Sequence, residues 1–358
     1  MSSSKLIGQS PRRHGIAAAL GAALLFGATT PFAKQLLRGI QPLPLAGLMY
    51  LGSGIGLAAI RLVRDRGWRD PGIARADWPW LAAAVAVGGV LAPVLLMVGL
   101  ERTSAAMGSL LLNLEAVLTA LLAWLLFREH AGVRVVLGMT AIAAGAALLS
   151  WPGLGALGAD RGALAIVGAC ACWAIDNNLT RKVSTGDAPF IAGVKGWIAG
   201  LVNLGLWLAF AGGAPAPSAA ATAGALLVGF AGFGVSLVLY VVALRELGSS
   251  RTGAYFATAP FIGAALAIGL YGERATAGFY AAAALMGIGV WLHLSERHDH
   301  EHIHDESLHT HPHVHDEHHR HAHPGGWDGA EPHSHAHRHG PLRHAHPHYP
   351  DAHHRHPH

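Results

Sequence analysis

The chain has 358 residues, of which 52% are hydrophobic and only 13% charged, with 46 glycines and a mean hydropathy of +0.37. That composition excludes a set of ordinary soluble domains and describes a membrane protein. The formal charge of +4 hides two signs: residues 1–297 carry 21 Lys and Arg against 12 Asp and Glu, and residues 298–358 carry 4 against 9.

The basic excess does not read as a nucleic-acid surface, because the arginines form short clusters between apolar runs with no aromatic-basic stripe. The cysteines, Cys170 and Cys172, stand two apart in one apolar run, so no disulfide framework exists and the two thiols face different directions on a helix.

In chain order, residues 1–14 form a basic N-terminal segment with Lys5, Arg12 and Arg13. A signal-peptide or twin-arginine reading of that segment is set aside, since no cleavage site follows and later spans do the anchoring. Ten apolar runs come next, over residues 15–34, 43–62, 79–99, 104–127, 133–151, 162–181, 189–210, 220–243, 252–271 and 276–294. Each is long enough to cross a hydrocarbon core of about 30 Å as a helix. Lipid offers backbone groups no hydrogen-bond partner, so continuous runs without polar alternation predict an all-α polytopic membrane protein.

Lys and Arg in alternate loops divide fourteen to five, the larger group including Arg61, Arg64, Arg66, Arg69, Arg75, Arg128, Arg134, Arg181, Lys182, Arg245 and Arg251. This asymmetry predicts cytoplasmic N and C termini, in a bacterial cytoplasmic (inner) membrane.

The ten runs are five plus five. At an offset of 147, Gly15–Lys34 lies over Gly162–Arg181; at 144, Gly99–Gly145 lies over Ala243–Gly289, matching Glu129 to Glu273. An odd number of spans per copy makes the second copy enter from the opposite side, so residues 15–151 and 162–294 are an inverted-topology repeat. Alternating-access carriers use that arrangement, with the substrate site near mid-membrane between the halves.

At this point the chain resembles the drug/metabolite transporter superfamily and its EamA-like branch. The carrying residues are Leu111 to Leu121 ending at Glu129, Ala257-Thr258-Ala259-Pro260-Phe261-Ile262 ending at Gly272-Glu273, and Cys172-Trp173-Ala174-Ile175-Asp176-Asn177-Asn178. Both halves are covered, over about residues 15–294. One departure is Ala116, where the family usually has proline in the fourth helix; the ninth retains Pro260. The resemblance implies a ten-helix carrier of small metabolites, often an exporter, coupled to a gradient. The chain itself has no phosphate-binding G-x-x-x-x-G-K-[ST] loop.

Ionisable groups inside spans are expensive and default to functional candidates. Glu115 lies near the centre of the fourth run, a substrate or proton-coupling candidate, with helix-gluing by a hydrogen-bonded glutamate as the bland reading. Asp176 in the sixth run and Lys195 in the seventh lie at equal depth, which permits an ion pair; Lys195 would otherwise snorkel. With Asn177 and Asn178, Asp176 spans a wide arc of helix, so at least one of the three is expected to face a cavity.

Thr29 and Thr30 beside Pro31 read as hydroxyls re-satisfying freed carbonyls. Pro31, Pro93 and Pro260 are candidate hinges. Gly52, Gly54, Gly56, Gly263 and Gly269 read as helix-packing positions, and Glu129 and Glu273 as interfacial salt bridges with Arg128, His130 and Arg274. Trp78, Trp80, Trp151 and Trp291 look like interfacial belt residues.

The tail, residues 298–358, holds 23 of the 26 histidines and reads as a disordered, cytoplasmic segment. Histidine alternates at His298, His300, His302 and His304, at His309, His311, His313 and His315, and at His333, His335, His337 and His339. In extended chain this spacing puts imidazoles on one side, which suits nickel, cobalt, zinc or copper. A neutral extension and a pH-responsive polyelectrolyte compete with that reading.

The main expectation is a secondary carrier of a small metabolite, amino acid or drug, needing no cofactor, with the lipid bilayer, a small-molecule substrate and transition-metal ions as partners. A divalent-metal exporter fed by the tail and a non-transporting metal sensor are the alternatives. No integral-membrane enzyme is expected, and the sequence does not fix the oligomeric state.

Overall fold

The computed structural model describes residues 9–67, 70–127, 132–150, 160–180, 183, 187–210, 215–295, 299–304, 307–313, 333–339 and 342–347. Glu129 with Arg128 and His130, Arg181, Lys182, Trp151, His298 and His315 lie outside the described residues. Two compact units result, residues 1–296 and 297–358.

Among its described residues the first unit is all-helical, with ten helices long and apolar enough to cross a membrane: Arg13–Leu36, Pro42–Asp65, Arg75–Arg102, Ala105–Leu125, Val133–Ser150, Arg161–Thr180, Ala188–Phe210, Ala219–Leu247, Arg251–Tyr271 and Ala277–Leu294. The third and eighth extend four residues beyond their apolar runs, through Arg75 and Asp77 and through Arg245 and Glu246, because a helix end in water does not need apolar residues to continue.

Principal helix packing joins opposite halves: first on eighth and ninth, second on seventh and eighth, third on sixth, fifth on tenth. Without a hydrophobic drive between helices in lipid, close approach needs small residues. A Cβ at Gly54 would lie 2.6 Å from the Trp197 amide nitrogen, and one at Gly196 would lie 2.7 Å from the Tyr50 carbonyl. Gly52, Gly56 and Gly263 are equally tight, as expected, whereas Gly269 faces open space and is not a packing glycine.

Four of the ten helices are irregular, in two symmetry-related pairs. The third and eighth contain π-helical segments, Val85–Leu91 and Phe230–Val235. The fourth and ninth are broken: Ala105–Leu111 stops before Leu114–Phe127, and Ser249–Phe256 stops before Ala259–Tyr271. The fourth breaks without a proline at Ala116, because other groups satisfy the freed carbonyls. Asn113 Nδ2 donates to the Leu110 carbonyl at 2.9 Å and the Cys170 thiol to that of Leu111 at 3.6 Å. In the ninth, Thr258 Oγ1 donates to the Tyr255 carbonyl at 2.6 Å, the counterpart of Asn113.

Pro93 and Pro260 begin the regular helices that follow these irregularities. Pro31 sits inside the continuous first helix, Gln9–Leu36. The carbonyl it frees, that of Gly27, faces Gly263, where a Cβ would come within 2.5 Å of it.

The described parts of the second unit are four strands, where composition alone suggests none. Asp299–His304 pairs antiparallel with Leu342–Pro347, and Ser307–His313 with His333–His339. Alternation of histidine with other residues has the period of a strand, which is the signal for this pairing. The register sets histidine opposite histidine at His300 and His346, His302 and His344, His309 and His337, His311 and His335, and His313 and His333.

Candidate functional site

The predicted polar residues converge where the fourth, sixth and seventh helices meet. Asp176 is buried and Lys195 Nζ reaches both its oxygens, at 2.6 and 2.5 Å; Thr180 Oγ1 donates to Oδ1 at 2.9 Å. A buried pair with a further hydrogen bond meets the condition under which desolvation of the charges is offset. Lys195 is therefore bonded within the bundle, not snorkelled to its surface.

Asn177, one residue on, points elsewhere: its Nδ2 donates to Glu115 Oε1 at 2.9 Å and to Thr119 Oγ1 at 3.3 Å. Asn178 is buried and bonds the Ala174 and Thr119 carbonyls. Of the three successive polar residues, Asn177 is the exposed one. Glu115 is half-buried in the first turn of Leu114–Phe127, just past the break, where the positive end of a helix dipole favours a carboxylate.

Tyr50 and Trp173 complete the site and were not singled out by sequence reasoning. In a π turn the Gly88 carbonyl would look to the nitrogen five residues on, but that residue is Pro93, which has no N–H. Tyr50 Oη and Trp173 Nε1 both donate to this carbonyl at 3.0 Å instead. Asn203 Nδ2 donates to the Val90 carbonyl of the same bulge at 3.3 Å. A phenol in mid-span and a tryptophan far from any predicted span end were the available signals.

Gly88 has a second role. A side chain there would overlap the Asp176 carboxylate, so the missing Cβ seats the acid against the third helix. The equivalent contact in the other half is Thr29 on Gly232 in the second π segment. Thr29 Oγ1 bonds the Phe26 carbonyl of its own helix and not the Gly27 carbonyl that Pro31 frees.

At the arginine-poor end, two charges, one on the first helix and one just past the ninth, hold the turn between the third and fourth. Lys34 Nζ donates to the Leu100 and Glu101 carbonyls at 2.6 and 3.2 Å, at a helix C-terminus. Glu273 accepts from the amides of Ala105 and Ala106 at 2.8 and 2.7 Å, at a helix N-terminus. Both signs suit the helix dipole. Glu273 is thus a helix cap and not the salt bridge with Arg274 that the sequence suggested.

At the arginine-rich end, Asp187 just before the seventh helix accepts from Arg61 Nε at 3.2 Å and from Arg64. Partial burial pushes the Asp187 carboxyl up, but the two arginine hydrogen bonds outweigh it and hold the group below its ordinary value. Cys170 and Cys172 are free and buried, with no bridge between them. Trp78, Trp80 and Trp291 are exposed near helix ends, as belt residues would be.

Ten apolar helices among the described residues, in two repeats, with polar side chains gathered beside broken segments, define an integral membrane protein of transporter architecture. The EamA-like transporter family model matches residues 13–151 and again 160–295, and the chain belongs to that family. An uncharacterized transporter of Methanothermobacter thermautotrophicus is 30% identical over 271 residues, 72% of this chain and 79% of that protein. A solved crystal structure shares the fold, with a TM-score of 0.57 at 18% identity over 77% of this chain and 95% of that one.

Proposed function

We propose that the protein is a secondary active carrier that moves a small organic solute by alternating access, in the export direction, through a site centred on Glu115. The observation that carries this reading is the placement of Glu115 at the break of the fourth helix, bonded across the half-to-half junction to Asn177 of the sixth. Carriers built from inverted repeats place solute and coupling-ion sites at such interrupted helices near mid-membrane. A carboxylate there can exchange a proton against solute, while the Asp176 and Lys195 pair stays charge-neutral. The membrane is a bacterial inner membrane with both termini cytoplasmic, on the strength of the fourteen-to-five loop asymmetry.

The tail is an accessory metal-binding segment for nickel, cobalt, zinc or copper. Histidines are backbone register partners across both strand pairs, a spacing that suits cross-strand chelation. Export of the metal itself is the second reading. Against it, the two site carboxylates are engaged by an amide and an ammonium group, a poor start for transition-metal coordination.

The test is purified full-length protein in liposomes under an imposed pH gradient, read by proton flux on adding a solute panel and, separately, nickel, cobalt or zinc. Solute-driven proton flux lost in Glu115→Gln supports the carrier. Flux driven by a metal and lost in Glu115→Gln replaces it with the metal exporter, and no Glu115-dependent flux with any addition removes both.

A further inference from the structure

A cavity of about 220 Å³ lies at the arginine-poor end, among the ends of the first, second, third and seventh helices. Arg38, Gln41, Glu101 and Trp207 form its polar lining, with Pro215 and Pro217 from the approach to the eighth helix. Trp207 Nε1 is buried yet reaches no acceptor, a costly state for an indole N–H. Lys34 bonds the Glu101 carbonyl oxygen, but among the described residues no hydrogen bond or ion pair engages the Glu101 carboxylate or the Arg38 guanidinium. The cavity therefore gathers one cation, one anion and one buried donor that the protein itself does not pair.

The other half shows what this donor lacks. The second and seventh helices are repeat counterparts, and setting their first residues, Pro42 and Ala188, in register places Gln41 opposite Asp187 and Trp207 opposite Arg61. At the arginine-rich end the pair is closed, with Arg61 Nε donating to the Asp187 carboxylate at 3.2 Å. At the cavity a donor is retained, but the carboxylate is replaced by the neutral amide of Gln41. An oxyanion from outside the chain supplies the missing acceptor. Arg38 gives it a charge-assisted partner, and the start of the second helix, which has no side-chain cap at Gln41, gives it the positive end of a dipole. Glu101 then calls for an ammonium group on the same ligand.

Depth points to a lipid. Trp207 lies three residues before the seventh helix ends at Phe210, Glu101 one before the third ends at Arg102, and Arg38 two beyond the end of the first at Leu36. All three sit within about 5 Å of a span end, the level of phospholipid headgroups. Beside Trp207, exposed apolar side chains descend the seventh helix toward mid-membrane at four-residue spacing: Phe210, Leu206, Val202 and Ile198.

We propose that this cavity is a headgroup site for a phospholipid of the phosphatidylethanolamine type, with its phosphate on Arg38 and Trp207 Nε1, its ammonium on Glu101 and an acyl chain along the exposed strip. One cation and one anion in the lining select a zwitterion over an anionic headgroup. A carboxylate also favours an ammonium that keeps its N–H donors over a quaternary one. The lining comes from both halves, so the bound lipid ties them together at this end. None of these residues belongs to the Glu115 site, and the lipid site stands whether or not the protein is a carrier.

The probes are the soluble dihexanoyl forms of phosphatidylethanolamine, phosphatidylcholine and phosphatidylglycerol, with glycerophosphoethanolamine as the headgroup without chains. Titrated calorimetrically into the full-length protein in detergent, the ethanolamine lipid should bind saturably and at least 5-fold tighter than the other two lipids. Arg38→Gln and Trp207→Phe should each weaken it at least 5-fold. Glu101→Gln should weaken it while strengthening the glycerol lipid, so that the preference disappears. Arg38 is exposed, so Arg38→Gln should keep the wild-type melting temperature, which separates a lost ligand contact from a lost fold. Equal binding of the three lipids, or binding untouched by Arg38→Gln and Trp207→Phe, overturns the proposal. Glycerophosphoethanolamine binding as tightly as the lipid overturns the membrane as its source and makes the ligand a soluble zwitterionic phosphoester.

Discussion

The two halves use one backbone device with different chemistry. In each, a glycine in a π-helical turn receives a side chain from the opposite half: Gly88 takes Asp176, and Gly232 takes Thr29. The first contact carries a buried charge tied to Lys195; the second carries a hydroxyl turned back onto its own helix. The difference teaches that the repeat supplies geometry on both sides of the membrane while charge chemistry is installed on one. Energetic asymmetry between the two ends then does not require different folds.

The largest expected effect removes the site carboxylate that is held by an amide and not by an ammonium group. Glu115→Gln should reduce transport at least 100-fold in liposomes with an unchanged melting temperature; wild-type flux would make Glu115 structural. Next is the pair. Neutralising Asp176 or Lys195 alone should reduce flux at least 10-fold, because a buried charge without its mate costs about 3–5 kcal/mol. The reciprocal swap, Asp176→Lys with Lys195→Asp, should recover most of the loss, and failure of the swap would assign one charge a separate role.

The comparison of halves is sharpened by Gly88→Ala against Gly232→Ala. The first displaces a charged pair and should lower both flux and melting temperature. The second overlaps the Thr29 methyl first of all, so Thr29→Ser in the same chain should restore most of the loss. Equal and unrescued losses would show that the π turns matter and their guests do not. Tyr50→Phe is milder, removing one of two donors to the Gly88 carbonyl, and should cost about 1 kcal/mol of stability by chemical denaturation.

The smallest effect is at Asp187, whose carboxyl is held below its ordinary value by Arg61 and Arg64. Its contribution is present above the unfolded value near 4 and is lost as pH falls through the lower folded value. Asp187→Asn should therefore lower the melting temperature by the equivalent of about 1 kcal/mol at pH 7 and by progressively less below pH 4. A constant difference across that range would assign the effect to something other than titration.

Much of this was legible in the chain. Ten apolar runs and their two offsets gave the span number and the repeat, since burial in lipid demands long apolar helices whatever the tertiary contacts. Asp176 and Lys195 were placed at equal depth by counting, and the structure joins them. The break in the fourth helix was not legible. Without a proline at Ala116 it depends on Asn113 and on Cys170 from another helix, a tertiary satisfaction of backbone groups that no local pattern announces. The π turns were hidden for the same reason, because one shifted hydrogen bond leaves apolar periodicity intact. Glu273 was misjudged because adjacent charges suggested local pairing, while its partners are backbone amides 168 and 167 residues away.

The interlaced packing of the first unit bears on how the protein is made. The first, second, third and fifth helices find their principal neighbours in the later half, and the Ala105–Leu111 helix start is capped by Glu273. When the ribosome has delivered the first five helices, their polar seams and small-residue faces still lack the surfaces they fit. The early half must wait in the bilayer for the late one, so nascent chains stalled between residues 151 and 160 should be readily claimed by membrane proteases, and two half-chains expressed separately should survive only when both are present.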